Sequence, residues 1–404
     1  MNTKSPELNN KKRKNPIPPL PNKSKIKQTE KPKQKKTRLN TKKQTEKQKP
    51  KQQNYLKRRS KGKKVLNKRS LRQTTLNFNK TGKLVVVKPQ EAPNAQEQKL
   101  MPESLTIVTF NVNGLRSSLK NGDMKQTLLS LDADLLCLQE TKTVERVLQL
   151  EGYADFWSHS TAKKGYSGTA IFTRYKPTQI KYSVLSMLGE KWCRTHPNIA
   201  EHVLWKEGRF LALEFETFWL INTYVPNSGS DLQRIKARTE IWDFTISQLL
   251  IQIDSKKPLI WCGDLNVAHQ QIDVYDPSAL GNSSGFTNQE RQSFSNILQN
   301  KFVDIFRKIY PLTENKYTFW SMRQGLRFLN KGWRIDYFVT SHRIVNNVKT
   351  IEILDNVYGS DHCPVKISFK HRQQQPKEQQ EVQQQETQQE KVKTDPKEKK
   401  KKQN

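Results

Sequence analysis

Leu259-Ile-Trp-Cys-Gly-Asp264-Leu-Asn266-Val-Ala-His269 follows Lys256-Lys257-Pro258 and opens as a short apolar run. The run meets Gly263 and breaks into Asp-x-Asn. A buried strand looks like this when it runs into a loop that carries chemistry. The apolar residues sit in a core, the glycine lets the backbone turn, and the polar groups project at the strand end. Asp264 can hold a water or a metal. Asn266 can donate to a phosphate oxygen while its carbonyl accepts elsewhere. The same residues also read as a strand closed by an Asx turn, so the rest of the chain decides between the two readings.

Outward from this stretch the texture repeats. Leu105-Thr-Ile-Val-Thr-Phe110 alternates and is β-branched, which predicts a strand ending at Asn111-Val-Asn113-Gly114-Leu-Arg116. Leu135-Leu-Cys-Leu138 predicts a buried strand ending at Gln139-Glu140-Thr141-Lys142. Gly168 to Thr173 is another strand, and Arg209 to Phe215 with Phe218 to Tyr224 form a hairpin pair. Lys316 to Trp320, Trp333 to Val339 and Val365 to Phe369 complete the strands. Asp123 to Leu131, Leu232 to Ile253 and Gln289 to Gln299 carry helical spacing. Polar clusters close strand after strand: Asn111/Asn113, Glu140, Tyr224/Asn227, Asp264/Asn266, Asp336 and Asp361/His362. Two packed sheets that deliver these ends to one edge would build a single site, which predicts a two-layered β-sandwich flanked by helices.

Composition separates this region from its flanks. The chain of 404 residues has a net charge of +34. Residues 1–104 carry 31 Lys and Arg against 6 Glu, whereas 105–369 are nearly balanced and hold all eight Trp. Residues 1–104 and 370–404 are rich in Lys, Gln, Asn and Pro and predict disordered tails, because they cannot bury enough surface to order themselves. The middle block is long enough for one large core. Lys11-Lys12-Arg13-Lys14, Leu56-Lys57-Arg58-Arg59 and Lys61 to Arg69 read as a nuclear import signal, a nucleic-acid arm or a solubilising tail. Gln73-Thr-Thr-Leu76-Asn-Phe78 faintly resembles a sliding-clamp-binding peptide that lacks the paired aromatics. Cys137, Cys193, Cys262 and Cys363 show no paired spacing, so neither a zinc nor a disulfide framework follows. No apolar run reaches the ~18 residues that span a bilayer, and no secretory or mitochondrial leader is legible. A reducing compartment, no membrane association and a monomer are expected.

The clustered side chains suit phosphodiester hydrolysis. That reaction needs a hard cation, an activated water, donors for the developing oxyanion and help for the leaving oxygen. Glu140, a lone carboxylate at the end of an apolar strand, is the natural ligand for Mg²⁺; a salt bridge to Lys142 or Arg116 is the alternative. Asn113 could supplement it, and Asp361 is the second carboxylate. Neighbours on an extended chain point opposite ways, so Asp361 should not orient His362. Asp336 is the candidate that holds the ring and stabilises imidazolium. Asp264 is then free to position or deprotonate the water. Tyr224 and Asn227, at a proline-stiffened strand end, can donate to phosphate or serve as a core phenol beside a turn. Phe319 and Trp333 suit a pocket around an unstacked sugar, and Trp320 suits the core.

Phe110-Asn-Val-Asn-Gly-Leu-Arg116, Leu138-Gln-Glu-Thr-Lys142, Gly165-Tyr-Ser-Gly168, Thr223-Tyr-Val-Pro-Asn227, Gly263 to His269, Gly285 to Arg291, Tyr317-Thr-Phe-Trp320, Gly332-Trp-Arg-Ile-Asp-Tyr337 and Gly359-Ser-Asp-His-Cys-Pro364, in this order, span about two-thirds of the chain. Together they strongly resemble the exonuclease III-type abasic-site endonucleases of base excision repair, in the endonuclease/exonuclease/phosphatase superfamily. The resemblance implies an α/β (α+β) fold, a four-layered sandwich of two packed mixed β-sheets flanked by helices. It implies Mg²⁺-dependent cleavage 5′ to an abasic site in double-stranded DNA, leaving a 3′-hydroxyl and a 5′-deoxyribose phosphate, with Mn²⁺ as a substitute metal. Exonuclease or 3′-end trimming would be further activities of the same site, and other repair proteins or a sliding clamp would dock on the N-terminal tail. By motif match, Glu140, Asn113 and Asp361 hold the metal, with Asn111 in support and Asp264, Asn266 and His362 within reach. Asp264 acts on the water and Asn266 orients it. Tyr224, Asn227 and His362 contact the phosphate, Asp336 pairs with His362, and Arg116 joins the DNA contacts. Phe319, Trp333 and Ile335 line the pocket for the flipped sugar. Two positions depart from the animal enzymes: Asn113 replaces Asp, and Ser230 replaces a DNA-inserting arginine. Leu188 to Lys206 looks like an insertion. Another phosphoesterase of the superfamily, or an inactive DNA-binding scaffold, are the competing readings.

Overall fold

The computed structural model describes residues 101–322 and 325–370, with the backbone of two short antiparallel strands, β1 (Thr75–Phe78) and β2 (Leu84–Val87). The basic clusters before β1, the Gln73 end of the clamp-like peptide and the tail beyond Lys370 lie outside the described residues.

Two six-stranded sheets form the body. The first contains β3 (Ser104–Asn111), β4 (Leu135–Gln139), β5 (Ala154–Ser158), β6 (Thr169–Thr173), β13 (Val348–Ile353) and β14 (Val365–Lys370), in the order β13-β14-β3-β4-β6-β5. The second contains β7 (Gln179–Lys181), β8 (Phe210–Glu214), β9 (Trp219–Tyr224), β10 (Leu259–Asp264), β11 (Phe302–Asp304) and β12 (Asp336–Ser341), in the order β11-β12-β10-β9-β8-β7. Each sheet has one parallel pair, β3 with β4 and β9 with β10; the other pairs are antiparallel. Helices α1 (Leu115–Asn121) and α2 (Met124–Ser130) lie on the first sheet. The chain continues through α3 (Val184–Leu188), α4 (Glu190–Thr195), α5 (Pro197–Ala200), α6 (Phe244–Asp254), α7 (Asn288–Gln299) and α8 (Ile305–Ile309).

The two-residue period of the strands sorts the side chains into layers. Leu105 and Ile107 face the second sheet and pack with Leu211, Leu213, Leu220, Ile260 and Phe338. Val108 and Phe110, from the same strand, face outward onto Leu115, Met124 and Leu128. Trp261 and Val339 face the other way, onto Ile246, Leu250 and Phe294 of α6 and α7. The result is helices, sheet, sheet, helices. One polar seam crosses between the sheets: Gln139 Nε2 donates to Asn222 Oδ1 at 2.7 Å, and Asn222 Nδ2 donates to the carbonyls of Leu138 and Ala170.

Three local expectations need correction. The strand Leu259–Asp264 does not break at Gly263, which stays paired on both sides. A Cβ there would stand 1.9 Å from the Thr223 carbonyl oxygen, so the glycine is required by close approach of β9. The turn comes later, at Asn266, with φ of 48°. Residues 316–320 form only isolated bridges, Phe319 to Trp333 and Phe319 to His362. The helix expected over 232–253 begins as a π-helical segment, Ala237–Asp243, before α6. Its Arg238, buried, reaches Asp243 and the carbonyls of Pro226 and Asn266, which ties the widened turn to the loop after β10. Among the described residues no helix is long and apolar enough to cross a membrane.

Candidate active site

The topology explains why the polar strand ends meet. β3 and β4 run parallel, as do β9 and β10, so their C-terminal ends share an edge. β12 and β14 run antiparallel to them, so their N-terminal ends arrive there too: Asp264 of β10 is registered opposite Asp336 of β12. His362 lies just before β14 and is bridged to Phe319.

Asn111 is the hinge of the cluster. Its Nδ2 donates to Glu140 Oε1 at 3.1 Å and to Asp264 Oδ2 at 2.9 Å, and its Oδ1 accepts from the Asn113 amide. Asp264, buried, also accepts from the Asn266 backbone at Oδ1 and from Asn266 Nδ2 at Oδ2. Asn266 passes the chain onward: its Nδ2 donates to the Val225 carbonyl, and its Oδ1 accepts from Asn227 Nδ2 at 3.0 Å. On the other side His362 Nδ1 is 2.8 Å from Asp336 Oδ2, and His362 Nε2 is 3.9 Å from Asp264 Oδ2.

Burial raises the Asp264 carboxyl, the nearby charges of Asp336 and Glu140 add to that against His362, and it reaches about 7. Burial alone would depress His362; the charge and hydrogen bond of Asp336, with Asp264 and Asp361, outweigh it and hold the imidazole at about 10. Asp264 is thus a carboxyl poised near neutrality beside an imidazolium. The Tyr224 phenol is driven well up by burial and by Glu140, its hydrogen-bond partner, so it stays a proton donor.

Glu140 accepts Lys142 Nζ at 2.7 Å, and the same ammonium donates to Asn113 Oδ1 at 2.5 Å. Burial pushes the Glu140 carboxyl up, but Lys142, Tyr224 and His362 bring it below its usual value. These oxygens therefore already face one cation. Among the described residues no three His, Cys, Asp or Glu side chains cluster as metal ligands. The available donors are one or two carboxylates and amide oxygens, the set a magnesium-like ion takes while keeping its own waters, and a poor set for zinc. Asp361 is linked to this edge through Ser360, whose Oγ donates to the Asn111 carbonyl and lies 3.2 Å from Asp361 Oδ1.

Phe319, Trp333 and Ile335 lie together with Ala268, Val274 and Phe286, and the Phe319 ring is 4.9 Å from that of His362. Trp320 is buried apart from them, against Tyr317 and Cys363. Arg116 lies at the rim, exposed and paired with Glu145 at 2.8 Å. It shares a surface pocket with Asn113 and Lys142, beside the cluster. Ser230 is exposed on the surface loop after Asn227.

Several supporting residues escape a reading by motif. Arg209 lies under the Tyr224 ring at 4.5 Å and donates to the Tyr224 carbonyl. Thr318 Oγ1 accepts the amides of Ile335 and Asp336 and so fixes the start of β12. Arg327 donates to the carbonyls of Ser360 and His362. Their partners are backbone atoms far away in sequence, which leaves no local spacing to read.

Residues 108–362 match the Endonuclease/Exonuclease/phosphatase family. An exodeoxyribonuclease of Bacillus subtilis is 42% identical over 265 residues, covering 65% of this chain and 98% of that protein. A DNA-(apurinic or apyrimidinic site) endonuclease of Dictyostelium discoideum is 38% identical over 280 residues, covering 68% and 73%. Among solved structures, an AP endonuclease from Leishmania major superposes with a TM-score of 0.59 at 32% identity, over 67% of this chain and 89% of that one. An AP endonuclease from Archaeoglobus fulgidus gives 0.56 at 28%, over 66% and 100%. The family match takes in every strand end that builds the site, from Asn111 to His362, and the chain belongs to the endonuclease/exonuclease/phosphatase family.

Proposed function

We propose that this protein is a Mg²⁺-dependent endonuclease that cuts duplex DNA on the 5′ side of an abasic site. The observation that carries the reading is the position of Asp264. Asn111 Nδ2 donates both to it and to Glu140 on one side, and on the other it lies 3.9 Å from the Asp336-held His362. A water held by Asp264 and Asn266 would stand between a metal ligand and an imidazolium, in a buried setting where both act strongly on charge.

Glu140, with Asn113 and Asp361, would hold the ion, with Asn111 bracing the set. A bound Mg²⁺ supplies Lewis-acid stabilisation of phosphate charge at neutral pH. Asp264 takes or orients the water proton as the water oxygen bonds to phosphorus. The bond from phosphorus to the 3′ oxygen breaks, and that oxygen takes up a proton from solvent, leaving a 3′-hydroxyl and a 5′-deoxyribose phosphate. His362, Tyr224 and Asn227 donate to the phosphate oxygens. Phe319, Trp333 and Ile335 form the wall against which a baseless sugar fits. The names of the similar nucleases support this substrate class, and the basic N-terminal clusters support a nuclear location and a salt-sensitive hold on DNA.

The test is an assay of the full chain on a duplex with one abasic residue and on the undamaged duplex, with Mg²⁺ and with EDTA. One nick 5′ to the lesion, carrying an extendable 3′-hydroxyl and lost in EDTA, is expected. Equal cutting of both duplexes, or cutting indifferent to EDTA, overturns the reading.

A further inference from the structure

The segment between β7 and β8 builds a feature that the hydrolytic site does not use. The start of α3, at Val184, and the turn Val203–Lys206 close over the ends of β5 and β8, leaving a cavity of about 260 Å³. The walls are aromatic. Trp157 is stacked with His159 at 5.8 Å and 19°, and Trp205 is stacked on Trp242 at 5.3 Å and 19°. Tyr182 stands at the mouth, 51% exposed. Lys206 is also exposed there, and its ammonium makes no ion pair among the described residues.

Arg209 links the cavity to the proposed catalytic edge. Gly208, with φ of 67°, lies so close to the end of β5 that a Cβ would stand 2.5 Å from the His159 carbonyl carbon. That approach places Arg209 in the cavity wall while its guanidinium stacks on the Tyr224 ring and donates to the Tyr224 carbonyl. Burial lowers the His159 pKa, so this wall is a neutral aromatic surface. Nδ1 of the ring lies 3.0 Å from the Thr143 carbonyl, three residues beyond Glu140. Arg209 is already committed to Glu207 and Tyr166, which leaves Lys206 as the cation facing solvent.

Flat aromatic walls, a small volume and one free cation at the mouth match a planar heterocycle with a phosphate attached. We propose that this cavity takes one unstacked nucleobase of a DNA strand crossing the catalytic edge, so that the enzyme favours abasic sites bordered by unpaired DNA. The inference rests on the proposed action on DNA. An apolar peptide would have no use for the Lys206 charge, and a free phosphate none for the aromatic walls. Base stacking on such side chains is tolerant of sequence, so the site would recognise unpairedness rather than a particular base.

Binding is read in EDTA by fluorescence anisotropy, with three ligands: a blunt abasic duplex, the same duplex with a single-stranded oligo-dA extension at either end, and the same duplex with a charge-matched spacer extension that carries no bases. The oligo-dA extension at one end should tighten binding about tenfold, and the baseless spacer should not. Tyr182→Ala and Lys206→Ala, both exposed, should lose most of that gain and bind the blunt duplex as the wild type does. Equal affinity for all three ligands, equal gains from oligo-dA and spacer, or a gain that survives in both variants overturns the proposal. Nicking of the blunt duplex with Mg²⁺ reports separately on the proposed catalytic function, and the binding series is read whether or not that duplex is cut.

Discussion

Two groups of buried carboxylates lie close together at the start of β12, and they are treated in opposite ways. Asp273 and Asp304 are surrounded by cations. Arg334 reaches both oxygens of Asp273 and both of Asp304, and Arg307 adds two donors to Asp273 Oδ1. Burial would raise Asp273, but Arg334 and Arg307 hold its carboxyl below the usual range. Asp264 and Asp336, a few residues away in the same sheet, have one imidazole between them. Asp264 receives only amide donors within 3.3 Å, and Asp336 Oδ1 makes no hydrogen bond within the described residues. The first group is compensated and holds loops together. The second is left undercompensated, which is what a site that uses charge in chemistry requires.

Replacing Asp264 by Asn breaks the comparison at its strongest point. Nicking of an abasic duplex should fall by at least about 10³-fold, on the order of 4 kcal/mol in the barrier. Duplex binding in EDTA should be unchanged, and the melting temperature in EDTA should hold or rise, because an undercompensated buried charge has gone. A nicking rate near wild type would remove Asp264 from the mechanism.

Arg334→Met should do the reverse. It leaves Asp273 with Arg307 alone and Asp304 without its arginine, and stability should fall by about 3–5 kcal/mol, measured by urea unfolding at neutral pH. The effect depends on pH with a definite sign. A carboxyl whose folded pKa is depressed contributes stability above its unfolded value, near 4, and that stability is lost as pH falls through the folded value. The wild type should therefore lose stability steeply below about pH 4, and the variant, with the depression relieved, should lose less. Parallel acid profiles for the two proteins would show that Arg334 is not the cause.

Asp336→Asn tests the hinge between the groups, since it keeps the side chain's shape and removes the charge that holds His362. Turnover should drop by roughly 10²-fold, about 2.7 kcal/mol, with KM little changed and no loss of thermal stability. A loss of stability like that of Arg334→Met would place Asp336 with the structural carboxylates instead.

The strands were legible where apolar alternation was long and ended in a polar cluster, as at Leu105 to Asn111 and Leu259 to Asp264. The four edge strands were not: β7 and β11 have three residues and carry no period, and β5 and β13 are only partly buried and show no apolar run. The segment from Val184 to Lys206 gave no pattern either, because its helices have four to six residues and pack against Trp242 and α6 rather than forming from their own spacing. Among site residues, those in strand-end motifs could be named from sequence. Lys142 was visible only as a possible partner of Glu140, and its bridge to Asn113 depends on Lys142 itself having φ of 51°, a backbone state that sequence does not announce. Arg116 shared a motif with Asn111 and lies at the rim beside Asn113 and Lys142, but its pairing with Glu145 joins residues far apart in sequence and was not legible.

Glu290 supplies a third case that sharpens the contrast, because it is fully buried with no cation at all. Its Oε1 accepts from Ser228 Oγ at 2.6 Å, and its Oε2 accepts from the Gly285 amide and from the Thr287 amide and hydroxyl. Thr287 in turn accepts the Glu290 amide, the reciprocal arrangement that caps α7. Neutral donors and the positive end of a helix are therefore enough to keep a buried carboxylate structural. Thr287→Ala removes one donor to the carboxylate and the acceptor for one helix amide, and should cost about 1 kcal/mol, the smallest of these effects. Nicking should be unaffected, since Glu290 makes no contact with Asp264 or His362. A cost as large as that of Arg334→Met would mean that the capping pair carries most of the compensation. The division between satisfied and unsatisfied carboxylates would then rest on the number of donors rather than on the presence of a cation.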